Sequence, residues 1–313
     1  MAALWNGQDA ILKDQLFGLS GAQGNHGEDV KEIYYLLDNT PTHSYQKLLY
    51  KYPQQAFPYE QLVQENARRT RKDPEFELLD TGIFAENRYF DVFIEYAKAD
   101  AEDLLIQLTI VNRGPEEASL HVLPQLWFRN TWAWGYPGEE NRPTLAATPD
   151  GTVQVTHRDL SELTWYAEGG PDWLFCDNNS NTQRLYGTPS EEPFFKDGIN
   201  NYIVDGQQNA VNPARTGTKA AAHYPLVLAA GATQQVRLRL GPAGQVQPFA
   251  DFGQLLQQRQ AEADAFYAAI QCDIPDADAR NVQRQAFAGM LWSKQYYNYN
   301  VPRWLVGGVA HQP

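Results

Sequence analysis

The sequence predicts a mainly β fold: a large antiparallel sandwich over residues 1–245, followed over 246–313 by two α-helices. Three observations carry this. Short stretches of alternating apolar and polar residues recur between residues 89 and 240, turn residues punctuate them, and beyond Pro242 the apolar spacing changes to three and four. The chain has 313 residues, 43% hydrophobic and 20% charged. A chain of that size can bury about 75% of the surface it exposes when unfolded, so no disulfide or metal staple is required.

Residues 89–97 place Phe90, Val92, Ile94 and Tyr96 on one face of a strand, and 104–111 repeat the pattern with Leu104, Ile106, Leu108 and Ile110. Asn112, Arg113, Gly114 and Pro115 then supply turn chemistry, and 119–128 return as a third strand. A β-hairpin is therefore expected over 104–128, with Pro124 marking an edge strand or a bulge. Further strands are expected near 152–157, 162–168, 172–176, 183–187, 223–229 and 234–240, with Gly231 turning a second hairpin between the last two. Over 251–270, Phe252, Leu255, Leu256, Ala263, Phe266, Tyr267 and Ile270 recur at helical spacing. A second helix over 278–297 carries Val282, Ala286, Phe287, Met290 and Leu291 on one side, and Pro275 enforces the break between the two. There is no internal repeat of 20–50 residues.

Lys plus Arg is 25 and Asp plus Glu is 38, a formal charge of −13. That sign argues against a general nucleic-acid or anionic-membrane surface, which needs clustered cations. No apolar run is long enough to span a membrane, and the first residues lack the basic start and apolar core of a signal peptide. Cys176 and Cys272 lie far apart and are expected as free buried thiols in a reducing compartment, which points to the cytoplasm. Eight Trp and 17 Tyr supply rings that feed a core first, and that also serve as platforms for sugar faces.

Three clusters are candidates for chemistry. Residues 24–44 gather His26, Glu28, Asp29, Lys31, Glu32, Asp38 and His43. Carboxylates beside a histidine suit acid–base work at a ligand site, and the competing reading is a loop held by its own hydrogen bonds and by Gly24 and Gly27. Its histidines lack metal-site spacing. Residues 127–136 hold Trp127, expected to point into the sandwich, then Arg129, Asn130, Trp132 and Trp134 where the chain leaves the sheet. Indoles stack on sugars and Arg and Asn bind hydroxyls, or else the rings plug one end of the core. In residues 209–224 the run Gly217-Thr218-Lys219 fails as a phosphate loop, and Lys219 is expected to pair with a carboxylate. Asp177, Asn179 and Asn181 open like a calcium loop, but Thr182 and Thr188 stand where its glycine and glutamate belong. No nucleophile signature surrounds a serine or cysteine.

Several long segments, LFGLSGAQGNHGEDVKE, DNTPTHSYQKLLYKYPQQAFPY, ELLDTGIFAENRYFDVF, LPQLWFRNTWAWG, KDGINNYIVDG, NPARTGTKAAAHY and LWSKQYYNYNVPRWL, together resemble the N-terminal half of bacterial proteins related to glycoside hydrolase family 63, the mannosyl-oligosaccharide glucosidases and their prokaryotic relatives. The resemblance runs from about residue 4 to 304. It implies a β-supersandwich, a linker helix at 251–270 and, at 278–297, the first helix of an (α/α)6 barrel. It also implies inverting hydrolysis of an α-glucosidic bond, with no metal or organic cofactor. A ring of twelve helices needs on the order of 200 residues, whereas only a short tail follows Trp292. The family's acid and base are carboxylates of that barrel, roughly 6.5–9.5 Å apart. No residue here matches them, so none is expected to be catalytic. The tail 305–313 departs from the family pattern and the start reads as shortened.

The expectation is thus an N-terminal fragment of a glucosidase-like hydrolase, inactive by itself. His26, Glu28, Asp29, Arg129, Trp132 and Trp134 are its substrate-facing or interface residues, and Trp292, with Lys294 and Gln295, approaches the sugar from the barrel side. Its partners would be an oligosaccharide or glucoside and a separately encoded barrel half meeting the stripe on 278–297, with no nucleic acid and no membrane. The alternative is a stand-alone carbohydrate-binding or structural sandwich. An enzyme using Glu28 and Asp29 themselves is disfavoured, because adjacent residues on regular backbone point apart.

Overall fold

The computed structural model describes residues 2–23, 29–134, 141–190, 192–295 and 299–305. Among them the chain is mainly β, with fifteen strands in three antiparallel sheets. The large sheet has nine strands in the order β13 (Thr216–Gly217), β9 (Thr144–Ala147), β10 (Val153–Thr156), β11 (Leu163–Ala167), β15 (Thr233–Pro242), β7 (Asp103–Asn112), β6 (Tyr89–Asp100), β5 (Tyr45–Pro53) and β4 (Tyr34–Asn39). The small sheet has four, in the order β1 (Ala2–Trp5), β8 (Ala118–Trp127), β14 (Lys219–Leu228) and β12 (Asp172–Cys176). Strands β2 (Gly18–Leu19) and β3 (Asp29–Val30) pair with each other.

The alternation in the sequence decides which faces meet. Val92, Ile94, Leu108 and Ile110 of the large sheet turn inward, and with Leu120, Val122, Phe175 and Ala220 of the small sheet they form one buried apolar cluster. Two sheets that each bury one face in this way make a sandwich.

Neither expected hairpin forms. β7 pairs with β6 and β15, whereas β8 pairs with β1 and β14. The chain at 113–117, and again at 229–232, crosses from one sheet to the other. Asn112, fully buried, ties the two crossings together. Its Nδ2 donates to the carbonyls of Glu116 at 2.8 Å, Leu228 at 2.9 Å and Ala229 at 3.2 Å, and its Oδ1 accepts from the Gly114 N–H at 2.8 Å. Turn residues mark where the chain reverses, not which sheet receives the next strand. Pro124 is likewise not on an edge, since β8 lies between β1 and β14. The β8–β14 ladder keeps its register but has no pair at Leu123 and Pro124, where a residue without an N–H is tolerated.

Six helices are described: α1 (Tyr59–Arg68), α2 (Thr182–Tyr186), α3 (Gly198–Ile203), α4 (Phe252–Ile270), α5 (Ala277–Trp292) and α6 (Val301–Leu305). The strand expected at 183–187 is therefore helix α2. Asn181 caps it, its side-chain oxygen accepting from the Arg184 N–H, which satisfies a donor that a first turn leaves open. Helix α4 lays Phe252, Leu256 and Ala263 on Tyr45, Ala97 and Leu105, on the outer face of the large sheet. Arg239 secures it from the sheet, donating to both oxygens of Asp103 at 2.8 and 2.6 Å, to Asp251 at 2.7 Å and to the Pro248 carbonyl at 2.8 Å.

After the break at Pro275, Asp276 caps α5 by accepting from the Ala279 N–H at 2.7 Å. The packed row of α5 is Arg284, Ala288 and Trp292, against the terminal strand β4. Arg284 pairs with Asp38 and with Asp264 and lies 4.6 Å above the Tyr267 ring, and Trp292 Nε1 donates to the Asp38 carbonyl at 3.1 Å. Val282, Phe287 and Met290, read from spacing as the apolar side, are exposed. Cys176 is buried, but Cys272 is exposed in the α4–α5 turn, against the expectation for it. Among the described residues no helix is long and apolar enough to cross a membrane.

Candidate functional site

The outer face of the small sheet carries a large cavity. Register sets its floor: Lys219 of β14 lies opposite Trp127 of β8 on one side and Cys176 of β12 on the other, and Ala221 lies opposite Gln125. Leu123, Ala221, Leu174 and Cys176 continue this face and are covered by Ile199 and Tyr202 of α3. Beyond α3 the face opens into a groove of about 880 Å³, floored by Gln125, Trp127 and Lys219, walled by Arg129, Asn130 and Trp134, and roofed by Asn178, Arg184, Lys196 and Asn200. Trp127 does not enter the sandwich: it is 51% exposed, because its position in β8 has the parity of Gln125.

Hydrogen bonds hold the walls. Asn130 Nδ2 donates to Asn179 Oδ1 at 2.6 Å, and Asn178 Nδ2 donates to the Phe128 carbonyl at 2.8 Å. Asp177 accepts from the Thr218 N–H at 3.1 Å and pairs with Arg142 at 3.3 Å, so the acidic and amide residues here stitch loops together rather than ring a cation. Arg184 pairs with Asp197 at 3.1 Å, and Asn200 Oδ1 accepts from the Leu12 N–H at 2.9 Å, which joins the roof to the 11–15 segment. Gly217 belongs to this wall for a steric reason: a Cβ there would collide with the Cys176 carbonyl oxygen. Burial pushes the Cys176 thiol up to about 12, which keeps it protonated and inert.

A second cavity of about 420 Å³ adjoins the groove across Arg129 and Trp134, which line both, and its other walls include Phe128, Trp132, Asn141, His157 and Arg158. The Arg129 guanidinium lies 4.9 Å over the Trp134 ring, and Phe128 stacks on His157 at 4.9 Å. Two buried side-chain donors at these cavities have no acceptor among the described residues, Gln125 Nε2 and Trp132 Nε1. A buried donor left open costs about 1–3 kcal/mol, so a ligand oxygen that filled it would gain that much.

At the other end of the same sheet face, His121 Nδ1 and His223 Nε2 lie 2.8 Å apart with their rings stacked at 5.0 Å, and the Trp5 edge meets His121. Burial holds both histidines below their usual value, His223 at about 4, with the His121 charge adding to the effect there.

The residues singled out from sequence separate. Arg129, Trp132 and Trp134 come together at the two cavities. His26 and Glu28 lie outside the described residues. Asp29 pairs with the buried Lys31, which also holds Glu75 at 3.0 Å and Glu77 at 2.9 Å. These three carboxylates stand close enough for a metal ion, but the Lys31 ammonium is already at their centre. Trp292 stands apart from Trp132. It meets Tyr96 and lines an apolar cavity of about 170 Å³ with Leu36, Leu48 and Tyr50. Asp38 and His43 serve the helix-docking side, His43 through Asn39. Sequence reading missed Gln125 and Lys196, and it expected an acidic partner for Lys219. Lys219 instead donates to the Lys196 carbonyl at 3.1 Å and forms no ion pair among the described residues.

No protein-family model matches the chain. It is 40% identical to a Saccharomyces cerevisiae protein described as "Uncharacterized protein YMR196W", over 99% of this chain and 33% of that protein. The chain thus spans about a third of the length of the curated relative it matches. Among solved structures it is similar to a polysaccharide lyase, with TM-score 0.37 and 12% identity over 82% of this chain and 27% of that one. It is also similar to an Escherichia coli K12 protein assigned as an aldose 1-epimerase, with TM-score 0.31 and 8% identity over 66% of this chain and 67% of that one. These neighbours are carbohydrate-active enzymes, but at those scores the likeness carries no argument about site or reaction.

Proposed function

We propose that the chain is the saccharide-handling sandwich of an α-glucosidase-like glycoside hydrolase, and that the groove and its adjoining cavity hold the sugar. One observation carries the reading: Trp127, Trp132 and Trp134 gather around Arg129 at two connected cavities where Gln125 Nε2 and Trp132 Nε1 lack acceptors. Indole faces receive the apolar face of a pyranose, while amide, indole and guanidinium N–H groups donate to its hydroxyl oxygens. The long family-63-like segments in the sequence support the glucoside class.

Hydrolysis needs a proton donor and a base on opposite sides of the scissile bond. Of the two carboxylates that line the groove, Asp197 is committed to Arg184 and Asn181, which leaves Asp14 without a facing acid partner among the described residues. The acid and base are therefore assigned to the barrel helices that the family resemblance implies, and the sandwich contributes binding and orientation. A second reading is a binding module with no hydrolytic partner.

Calorimetric titration with methyl α-glucoside and maltose tests the binding. Trp134 is 37% exposed, so Trp134→Ala should cost about 1–2 kcal/mol of stability and leave the protein folded, and it should weaken binding by about tenfold. Full-strength binding by Trp134→Ala, or no binding by the unaltered protein, overturns the proposal. Release of glucose from maltose by this chain alone would overturn the assignment of acid and base elsewhere.

A further inference from the structure

Lys219 is 6% exposed, yet among the described residues its ammonium has one acceptor, the Lys196 carbonyl, and no carboxylate within ion-pair distance. A buried charge is costly unless it is paired, and that cost can exceed several kcal/mol. Other buried cations of this protein follow the rule: Lys31 has three carboxylates, and Arg239 has two and a carbonyl. Lys219 is the exception, and its side chain lines the floor of the groove.

Its surroundings bias that floor further. The groove is lined by four cationic side chains, Arg129, Arg184, Lys196 and Lys219, against two carboxylates, Asp14 and Asp197. Asp197 is neutralised by Arg184, and Arg129 forms no ion pair among the described residues. In a chain with formal charge −13, this is a local excess of positive charge in a cleft. Gln125, two strand positions from Trp127 on the same face, adds a donor without an acceptor.

We propose that the floor at Lys219 and Gln125 is a subsite for a carboxylate on the bound saccharide, so that the groove takes an acidic sugar in preference to its neutral counterpart. The inference rests on the saccharide-binding reading and adds a charge to the ligand. One ammonium and one amide suit the single charge and two oxygens of a carboxylate.

The test compares three probes on the full chain by calorimetry: methyl α-glucoside, methyl α-glucuronide and glucose 6-phosphate. The glucuronide should bind about tenfold more tightly than the neutral glucoside. Lys219→Gln should remove that preference, read as the ratio of glucuronide to glucoside affinity, and Lys219→Arg should keep part of it. If Lys219→Gln does not fold, Gln125→Met carries the same test and should reduce the preference at least about threefold. Equal binding of glucoside and glucuronide overturns the carboxylate subsite and leaves saccharide binding standing, whereas no binding of any probe overturns both. Tighter binding of the phosphate than of the glucuronide overturns the choice of carboxylate. A preference that survives Lys219→Gln overturns the assignment to this lysine.

Discussion

Arg239 and Lys219 are buried to the same degree, 5% and 6% exposed, on opposite sides of the sandwich. Arg239 faces the docked helix α4, and its donors go to Asp103, Asp251 and the Pro248 carbonyl. Lys219 faces the groove and spends one donor on a carbonyl. The difference separates two uses of a buried cation. Where it fastens one element to another, its partners come from the protein. Where it lines an open groove, part of its capacity is left for something that arrives from outside.

The comparison can be broken in three places. The largest effect is expected at Arg239. Arg239→Met strands the buried Asp103 carboxylate and should cost about 3–5 kcal/mol of stability by urea denaturation. A loss below about 1 kcal/mol would mean that the helix side is not held by this ion cluster. An intermediate effect is expected at the histidine pair on the groove side. A histidine whose value is lower in the folded state takes its proton more readily when unfolded. Its contribution is therefore complete above about 6.5 and is lost as the pH falls toward about 4. The urea midpoint should decline across that window, and His223→Asn should make the decline shallower; identical slopes would remove the pair from this account. The smallest effect is expected for the stability of Lys219→Gln. Removing a buried charge that has no described counter-charge also removes its burial cost, so stability should rise, by about 1 kcal/mol. A loss as large as that of Arg239→Met would show that Lys219 is fastened after all.

Much of the large sheet was legible in the sequence, because alternation at 89–97 and 104–111 records directly which residues face the core. The pairing of strands was not. The Asn-Arg-Gly-Pro signal after β7 looked like a hairpin turn, yet it carries the chain to the opposite sheet, and only the contacts of Asn112 with Leu228 and Ala229 explain why. The helix at 182–186 was read as a strand because five residues are too few to show a period, although Asn181 was available as a cap. On α5, spacing found an apolar side, but the ion pairs of Arg284 and the hydrogen bond of Trp292 select the opposite one. At the site, Arg129, Trp132 and Trp134 stood out because they are neighbours in the chain. Gln125 did not, and Lys219 was expected only to pair with a carboxylate, because strand register, which the sequence does not show, places the two on one face.

That register also has a consequence for how the protein comes to fold. β4, β5, β6 and β7 are successive antiparallel neighbours, so most of their contacts span short lengths of chain. The small sheet joins β1, β8, β14 and β12, drawn from the first residues to the third hundred. Contacts between distant segments carry the greater loop-closure cost and form slowly. The meander is thus expected to condense early and the small sheet, with the groove on its outer face, to be completed among the last steps, so a chain stalled midway would hold the meander and lack the proposed binding surface.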